Sequence, residues 1–225
     1  MQFTYHKDSG DEFLTIEADI HKYLFKIRRH NIDENLYFRN LKDKNIYQYK
    51  VDNITRRQTT LKLINCEKKS VEPSKYLHIG WCLIDFKSIE KVIASLNELG
   101  VTKITFISCE YSQKQYKINF EKLNKLLINS SQQSGRSSII EIDTYIYDSI
   151  DKFLQNYPNS YMFNFSSNNI VNSISDIKTI VLGCEGGFSI EEVNKFSDDK
   201  IVGVDSNLIL RSETAIVTIA SKILV

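Results

Sequence analysis

The first seventy residues alternate apolar and polar positions in short runs, which is the period of β-strands. Four of these runs are rich in β-branched and aromatic residues: FLTIE (13–17), NLYFRNL (35–41), NIYQYKV (45–51) and TTLKLINC (59–66). The polar residues Lys42 to Lys44 separate the second run from the third and favour a hairpin. The pattern therefore predicts a small β-domain, a type of module that often binds RNA.

One helical segment interrupts these strands. Asp19 is placed to cap it, and apolar residues recur behind it at the spacing of a single helix face. Those residues are Ile20, Tyr23, Leu24 and Ile27, and the other side carries Lys22, Lys26 and Arg29. Two interpretations of the basic side stay open: a solvated flank, or a surface for a polyanion.

The pattern changes after CEKKSVEPSK (66–75), which is typical of a linker. Apolar runs now alternate with amphipathic helices, which favours a mostly parallel sheet covered by helices on both faces. The predicted strands are YLHIGWCLI, ITFIS, IIEI, YMFNF, TIVLG and KIVGV, and the predicted helices are FKSIEKVIASLNELG, NFEKLNKLLINSS, DSIDKFLQN, IEEVNKF and 212–224. We expect two domains, over residues 1–70 and 74–225, with Gly100 ending the first helix of the second.

Composition narrows the class of protein. With 225 residues, 42% of them hydrophobic and 25% charged, the chain has the composition of a typical globular protein. It has neither an apolar run of the roughly 18–20 residues that a membrane span needs nor the features of a signal peptide. Four widely spaced cysteines without a C-x-x-C pair indicate neither a zinc site nor a disulfide framework, and a reducing cytoplasm is the simplest setting for them.

Charge is unevenly distributed behind a net value of +1. Residues 1–75 carry a net charge of +4, and residues 76–225 carry −3. A basic front domain favours a polyanionic partner, although four charges are a modest excess.

Three segments of the second domain combine residues suited to binding or catalysis. GCEGGFS (183–189) follows a predicted strand, and its glycines permit either a tight turn or close approach of a ligand. Glu191 and Glu192 begin the next helix, which argues against a phosphate site there. QQSGR (132–136) suits a helix end or an RNA contact, and ILRSETA (209–215) offers either a local Arg–Glu salt bridge or an anion-binding arginine. We see no Ser-His-Asp or Cys-His set and no metal site.

These segments, in this order, resemble the RsmE family of 16S rRNA (uracil-N3)-methyltransferases of the SPOUT superfamily. That family shows E-Q-S-x-R, then I-G-P-E-G-G-F-S-x-x-E, then L-G-x-x-I-L-R-x-E-T-A, where this chain has QQSGR, LGCEGGFSIEE and LILRSETA. HKYLFKIRR and NELGV are similar to further family segments, so the resemblance spans nearly the whole chain. It implies a SPOUT α/β fold with a C-terminal trefoil knot, preceded by a PUA/OB-like β-barrel.

The resemblance also implies a homodimeric enzyme that uses S-adenosylmethionine (SAM) to methylate N3 of a uridine near the decoding site of the small ribosomal subunit. The implied cofactor contacts are Phe163, Asn164, Phe165, Leu182, Gly183, Glu185, Gly187, Val204, Ser206, Ile209 and Leu210. Arg211, Glu213 and Arg136 would face the uridine, with Glu213 or its rival Glu185 accepting the N3 proton. Lys22, Lys26, Arg28 and Arg29 would dock the rRNA, with help from Arg56 and Arg57.

Several positions depart from the family pattern. Cys184 replaces a proline, Asp205-Ser206 replaces Leu-Gly, and Gln132, Ser95 and Tyr111 replace a glutamate, a lysine and an arginine. Two alternatives therefore stay open: a SPOUT methyltransferase with another RNA target, or a non-catalytic protein that binds rRNA during ribosome assembly.

Overall fold

A computed structural model describes residues 2–113 and 117–225. The chain forms two compact units. The first comprises Met1–Glu72 with Ser131–Ile139, and the second comprises Pro73–Ser130 with Ile140–Val225. The QQSGR segment, which the sequence pattern assigns to the second domain, thus groups with the first unit.

The first unit is built on a five-stranded sheet in the order β1-β3-β4-β5-β2. Its strands are β1 (Thr4–Tyr5), β2 (Phe13–Glu17), β3 (Leu36–Arg39), β4 (Asn45–Ile54) and β5 (Gln58–Lys68). β1 runs parallel to β3, and the other pairs are antiparallel. All four predicted strands are confirmed, and their alternating inward side chains, including Leu14, Ile16, Phe38 and Leu61, form a buried core.

The predicted helix of this unit is present, but its geometry differs. α1 (Ala18–His21) continues as a wider π-helical turn over Lys22–Ile27, in which the Arg28 N–H donates to the Tyr23 carbonyl at 2.8 Å. The wider turn shifts the apolar face, so Leu24 is buried while Ile27 is 62% exposed. The prediction that Asp19 caps the helix is wrong, because Asp19 lies inside α1 and Glu17 occupies the capping position.

The second unit is built on a six-stranded sheet in the order β11-β9-β10-β6-β7-β8, and every pair is parallel. Its strands are β6 (His78–Cys82), β7 (Lys103–Ile107), β8 (Glu141–Ile142), β9 (Tyr161–Phe163), β10 (Thr179–Leu182) and β11 (Ile201–Val202). The predicted α/β fold with a parallel sheet is confirmed. β6 is buried along its whole length, as a strand in the middle of such a sheet should be.

The helices begin and end largely where the sequence predicts. They are α2 (Phe86–Leu99), α3 (Phe120–Ser134), α4 (Ile150–Asn156), α5 (Ile190–Val193) and α6 (Ser212–Leu224). Gly100 ends α2 in the left-handed conformation, with φ of 99°, as predicted. Within the described part of the chain, no helix has both the length and the apolar character needed to cross a membrane.

The expectation that the cysteine spacing indicates no disulfide is wrong. Cys82 and Cys109 form a disulfide, with their Cα atoms 5.6 Å apart. β6 and β7 are neighbours in parallel register, Cys82 opposite Ile107, so the two cysteines meet although 27 positions separate them in sequence. Such a contact depends on strand order, which cysteine spacing does not reveal. Cys66 and Cys184 are free.

Candidate active site

A cavity of about 420 Å³ lies at the carboxyl ends of β9, β10 and β11. This is the sheet edge where open parallel sheets bind ligands. Its lining residues are Phe163–Ser166, Leu182–Phe188, Val204, Ser206, Leu208–Leu210, Ser212 and Ala215. Every residue that the family resemblance assigns to the cofactor lies in this set. The structure thus brings three separate loops of the sequence to one cavity.

The glycine loop combines a turn with open backbone. The Gly187 N–H donates to the Cys184 carbonyl at 3.0 Å, and Gly187 has φ of 72°, a conformation that favours glycine. A Cβ built on Gly187 would meet no atom within 4 Å, so this backbone faces open space. A Cβ on Gly183 would lie 3.2 Å from Gly187. The loop is therefore both a tight turn and a backbone surface that a ligand can approach.

The acidic start of α5 has a structural explanation. Ser189 and Glu192 form a capping box, in which the Ser189 N–H donates to the Glu192 carboxylate at 3.0 Å. The same buried carboxylate accepts a hydrogen bond from the Glu110 N–H at 2.9 Å. Glu192 therefore stabilises two loops beside the cavity and is not available to a ligand.

Ser212 fixes the start of α6 to the glycine loop. Its buried hydroxyl donates to the Gly183 carbonyl at 2.8 Å and accepts from the Trp81 indole N–H at 3.0 Å. The sequence pattern does not mark either side chain as part of the site. A signal was present, because Trp81 is the only tryptophan and lies in a predicted buried strand, where its N–H requires an acceptor.

Arg211 and Glu213 flank Ser212 at the beginning of α6. Arg211 is exposed, and Glu213 is half-buried. Within residues 2–113 and 117–225, neither side chain has a hydrogen-bond or ion-pair partner, so the local salt bridge considered for this motif does not form. Both groups are free to contact a substrate placed against the cavity.

Gly203 permits two of the cavity loops to lie close together. A Cβ at this position would lie 2.8 Å from the Asn164 carbonyl oxygen and 3.1 Å from the Ser166 nitrogen. Because both are backbone atoms, they cannot move aside as a flexible side chain can. Gly203 therefore holds the segment that follows β11 against the segment that follows β9.

Arg136 lies in the first unit and is buried. Its Nε donates to the Ser138 hydroxyl at 3.1 Å, and that hydroxyl donates to the Glu72 carboxylate at 2.5 Å. Burial lowers the pKa of Arg136, and the charge of Glu72 opposes the shift. Gln132 accepts a hydrogen bond from the Tyr5 N–H at 2.8 Å. The QQSGR segment thus makes several contacts inside the first unit.

The expected RNA-docking residues separate into two places within the first unit. Lys22 and Lys26 line a groove of about 540 Å³ together with Arg56 and Arg57. Glu17 and Asp19 line the same groove and partly offset its positive charge. Arg28 lines a different cavity, and Arg29 is an exposed residue in the left-handed conformation, with φ of 56°.

Two of the departures from the family pattern, Cys184 and Ser206, line the cavity. Cys184 is buried, its thiol lies 3.6 Å from the Gly187 carbonyl oxygen, and burial raises the pKa of that thiol. The Ser206 hydroxyl accepts from the Leu208 N–H at 3.1 Å, which shapes the loop after β11. Tyr111 is 52% exposed, and its Cβ lies 2.9 Å from where a Cβ on Gly186 would be.

Among the described residues, no cluster of His, Cys, Asp and Glu is arranged to hold a metal ion.

Comparison with known proteins gives a consistent set of relatives. Residues 71–224 match the model of the RNA methyltransferase domain family. The chain is 34% identical over 224 residues to the ribosomal RNA small subunit methyltransferase E of Helicobacter pylori, covering 98% of each chain.

Solved structures share the fold across both units. The ribosomal RNA small subunit methyltransferase E of Neisseria gonorrhoeae, bound to S-adenosylmethionine, is 16% identical, with a TM-score of 0.75 and coverage of 98% of this chain and 95% of that one. A methyltransferase of Legionella pneumophila with bound SAM is 21% identical, with a TM-score of 0.77 and coverage of 99% and 95%. Together with the family match, these relatives show that the chain belongs to the ribosomal RNA small subunit methyltransferase E (RsmE) family of RNA methyltransferases.

Proposed function

We propose that this protein transfers a methyl group from SAM to N3 of a uridine in 16S rRNA, near the decoding site of the small ribosomal subunit. One observation carries the proposal: two of the three motif segments, LGCEGGFS and ILRSETA, come together with the segment that follows β9 in a single cavity at the ligand-binding edge of the sheet. The Helicobacter pylori relative is a small-subunit rRNA methyltransferase, and the Neisseria gonorrhoeae neighbour binds SAM.

The cavity residues fit this cofactor. A volume of about 420 Å³ lies within the range of roughly 300–1,000 Å³ that small-molecule sites occupy. Phe163, Leu182 and Leu210 supply apolar walls suited to an adenine ring. The open backbone at Gly187 permits close approach of polar groups, and Glu185 adds an exposed carboxylate that suits a cationic ligand.

The residues at the start of α6 suit the chemistry of a uracil base. When bound, the cofactor supplies an electrophilic methyl group on its sulfonium sulfur. N3 of uracil must lose its proton, and negative charge then spreads to O2 and O4. We assign proton acceptance to Glu213, with Glu185, which lines the cavity, as its rival, and stabilisation of the ring oxygens to Arg211. Ser212 positions both flanking groups through its bond to Gly183.

We assign Arg136 a role other than contact with the substrate uridine. The family motif places it near the substrate uridine, whereas here its guanidinium is buried beside Ser138 and Glu72 in the first unit. We propose that it positions the QQSGR segment, and that this segment reaches the RNA through its exposed amide side chain. Lys22, Lys26, Arg28 and Arg29 supply the basic contacts to the phosphate backbone.

The finer features of the family fold are also part of the proposal. We assign residues 1–70 to a PUA/OB-like barrel; the support is its long strands β4 and β5, of 10 and 11 residues, whose pairing contains two register shifts that would bend them. We assign residues 74–225 to a SPOUT domain with a C-terminal trefoil knot; the support is that the chain passes from β11 at the sheet edge, past Asn164, to Gly183 beside β10. We expect a homodimer in the cytoplasm.

Calorimetric titration with SAM tests the cofactor assignment. We expect saturable binding by the purified chain, and failure to bind would contradict the proposed function. Arg211→Ala should abolish methyl transfer while leaving SAM affinity near that of the wild type, because its guanidinium is assigned to the uracil. Collapse of SAM binding in that variant would show that the role assigned to Arg211 is wrong.

A further inference from the structure

The first unit contains a second, smaller cavity that the proposed chemistry does not use. Its volume is about 260 Å³, slightly below the roughly 300–1,000 Å³ of sites for drug-sized ligands. Phe3, Leu24 and Leu36 contribute its apolar floor, and each is less than 10% exposed. The size and the floor suit one planar ring rather than an extended ligand.

Amide side chains surround this floor. Gln2, Asn35 and Gln133 line the cavity, and all three are exposed. Each amide offers both a donor and an acceptor, which is the set that the edge of a nucleobase requires. Gln132 lines the same cavity, and its carbonyl oxygen accepts from the Tyr5 N–H, so the adjoining helix end is fixed to β1.

Tyr23 and Arg28 form one wall. The Arg28 Nε donates to the Tyr23 hydroxyl at 2.8 Å, and the guanidinium carbon lies 5.4 Å from the centre of the tyrosine ring. The π-helical turn sets this pair, because the Arg28 N–H bonds to the Tyr23 carbonyl five residues earlier. A guanidinium held in this way has four further N–H groups for a phosphate or a ring edge, and its plane can stack on a base.

No carboxylate lines the cavity among the described residues. Glu34 does not line the cavity, but it bonds to Nδ1 of the lining residue His30 at 2.6 Å and so orients that imidazole. A cationic ligand therefore finds no counter-charge in the lining, while an anionic or neutral ligand finds Arg28 and His30.

We infer that this cavity binds one unstacked nucleobase of the RNA substrate, other than the uridine that is methylated. The inference rests on the proposed function for the identity of the substrate as RNA. Sequence-specific recognition of RNA targets unpaired bases that stack on aromatic or guanidinium planes and bond through their edges, and this cavity supplies each of these elements. The cavity thus contributes to the choice of RNA, separately from the methyl-transfer site.

The test measures base discrimination rather than activity. Binding of a small-subunit rRNA fragment is compared with a panel in which each unpaired base is replaced in turn by the other three. For the wild type we expect one position at which replacement weakens binding by about tenfold or more. Gln133→Ala and Asn35→Ala should remove that preference while leaving the salt dependence of binding and the affinity for SAM unchanged.

Lys26→Gln is the matched control, because Lys26 lines the basic groove and not this cavity. It should weaken binding to every RNA of the panel equally and reduce the salt dependence. The inference is overturned if both amide variants retain the base preference or if they behave as Lys26→Gln does. It is also overturned if a ribosomal protein, rather than the RNA, binds in the cavity. Because the assay measures binding and requires no methylation, failure of the proposed methyl transfer can be distinguished from failure of this inference.

Discussion

At the scale of single residues, two glycines of the cavity have opposite requirements. A side chain at Gly203 would collide with backbone atoms of residues 164 and 166, whereas a side chain at Gly187 has space but would require φ of 72°. We expect Gly203→Ala to lower the free energy of unfolding by about 1–3 kcal/mol through overpacking and to weaken SAM binding. Gly187→Ala should lower it by about 1 kcal/mol through backbone strain alone.

Urea unfolding and SAM calorimetry on both variants check this difference. The control is Gly187→Asn, since asparagine tolerates the left-handed conformation better than alanine does. If Gly203→Ala were as stable as the wild type and bound SAM equally well, the close approach of the two loops would not hold the cavity together.

Ser212 provides a second prediction at this scale. Ser212→Ala removes the hydrogen bond to Gly183 and leaves the Trp81 N–H buried without an acceptor. We expect a loss of about 1–3 kcal/mol in the free energy of unfolding, with weaker SAM binding. Ser221→Ala, an exposed position on the same helix, should change stability by no more than about 0.5 kcal/mol. Equal effects of the two substitutions would contradict the anchoring role.

At the scale of elements, local signals predicted what local interactions determine. α6 begins at Ser212 and ends at Leu224, as predicted, because its start residues and apolar period agree. The π-helical turn after α1 was not predictable, because its i to i+5 hydrogen bonds produce no distinct pattern in so short a segment. β1 was not predicted either, because two residues are too few to show a strand period.

His78, at the start of β6, gives a prediction for pH dependence. Its Nε2 bonds to the Thr105 hydroxyl at 2.8 Å, that hydroxyl donates to Asp143, and Nδ1 has no partner among the described residues. Burial lowers the pKa of His78 from 6.5 to about 4; Lys103 adds to the shift and Asp143 opposes it. The unfolded chain therefore takes up this proton at a higher pH than the folded chain does.

The stability from His78 is thus fully present above about pH 6.5 and is lost as the pH falls towards 4. At about pH 5 we expect the free energy of unfolding to be about 2 kcal/mol lower than at neutral pH from this group. Urea unfolding at both pH values measures the change. His78→Phe should flatten the decrease between them, and an unchanged decrease in that variant would contradict the assignment.

At the scale of the whole molecule, the order of motifs along the chain predicted more of the fold and of the site than composition did. Parallel-sheet architecture followed from alternating strands and helices, but the strand order did not, since non-local pairing leaves no mark on local sequence. The disulfide between Cys82 and Cys109 depends on that strand order. The grouping of Arg136 with the first unit likewise depends on contacts between distant parts of the sequence. All the expected cofactor residues met in one cavity, since they follow strands that end at the same edge.

Charge distribution gives a prediction at this scale. Lys22, Lys26, Arg56 and Arg57 line one groove of the first unit, so we expect it to contact RNA phosphates. Lys26→Gln should reduce the slope of log affinity against log salt by about 0.7–0.9. Lys50→Gln, at an exposed site of the same unit that does not line the groove, is the control and should leave the slope unchanged. Equal slopes for Lys26→Gln and the wild type would contradict phosphate contact in the groove.

The central claim is methylation of uracil N3 in small-subunit rRNA, and nucleoside mass spectrometry tests it most directly. Small subunits from a strain that lacks this gene are incubated with the purified protein and SAM, and their rRNA is digested and analysed. We predict that one 3-methyluridine per rRNA appears with the wild type and none with Arg211→Ala. A methylated nucleoside of another kind, or no methylation by a protein that binds SAM, would contradict the account.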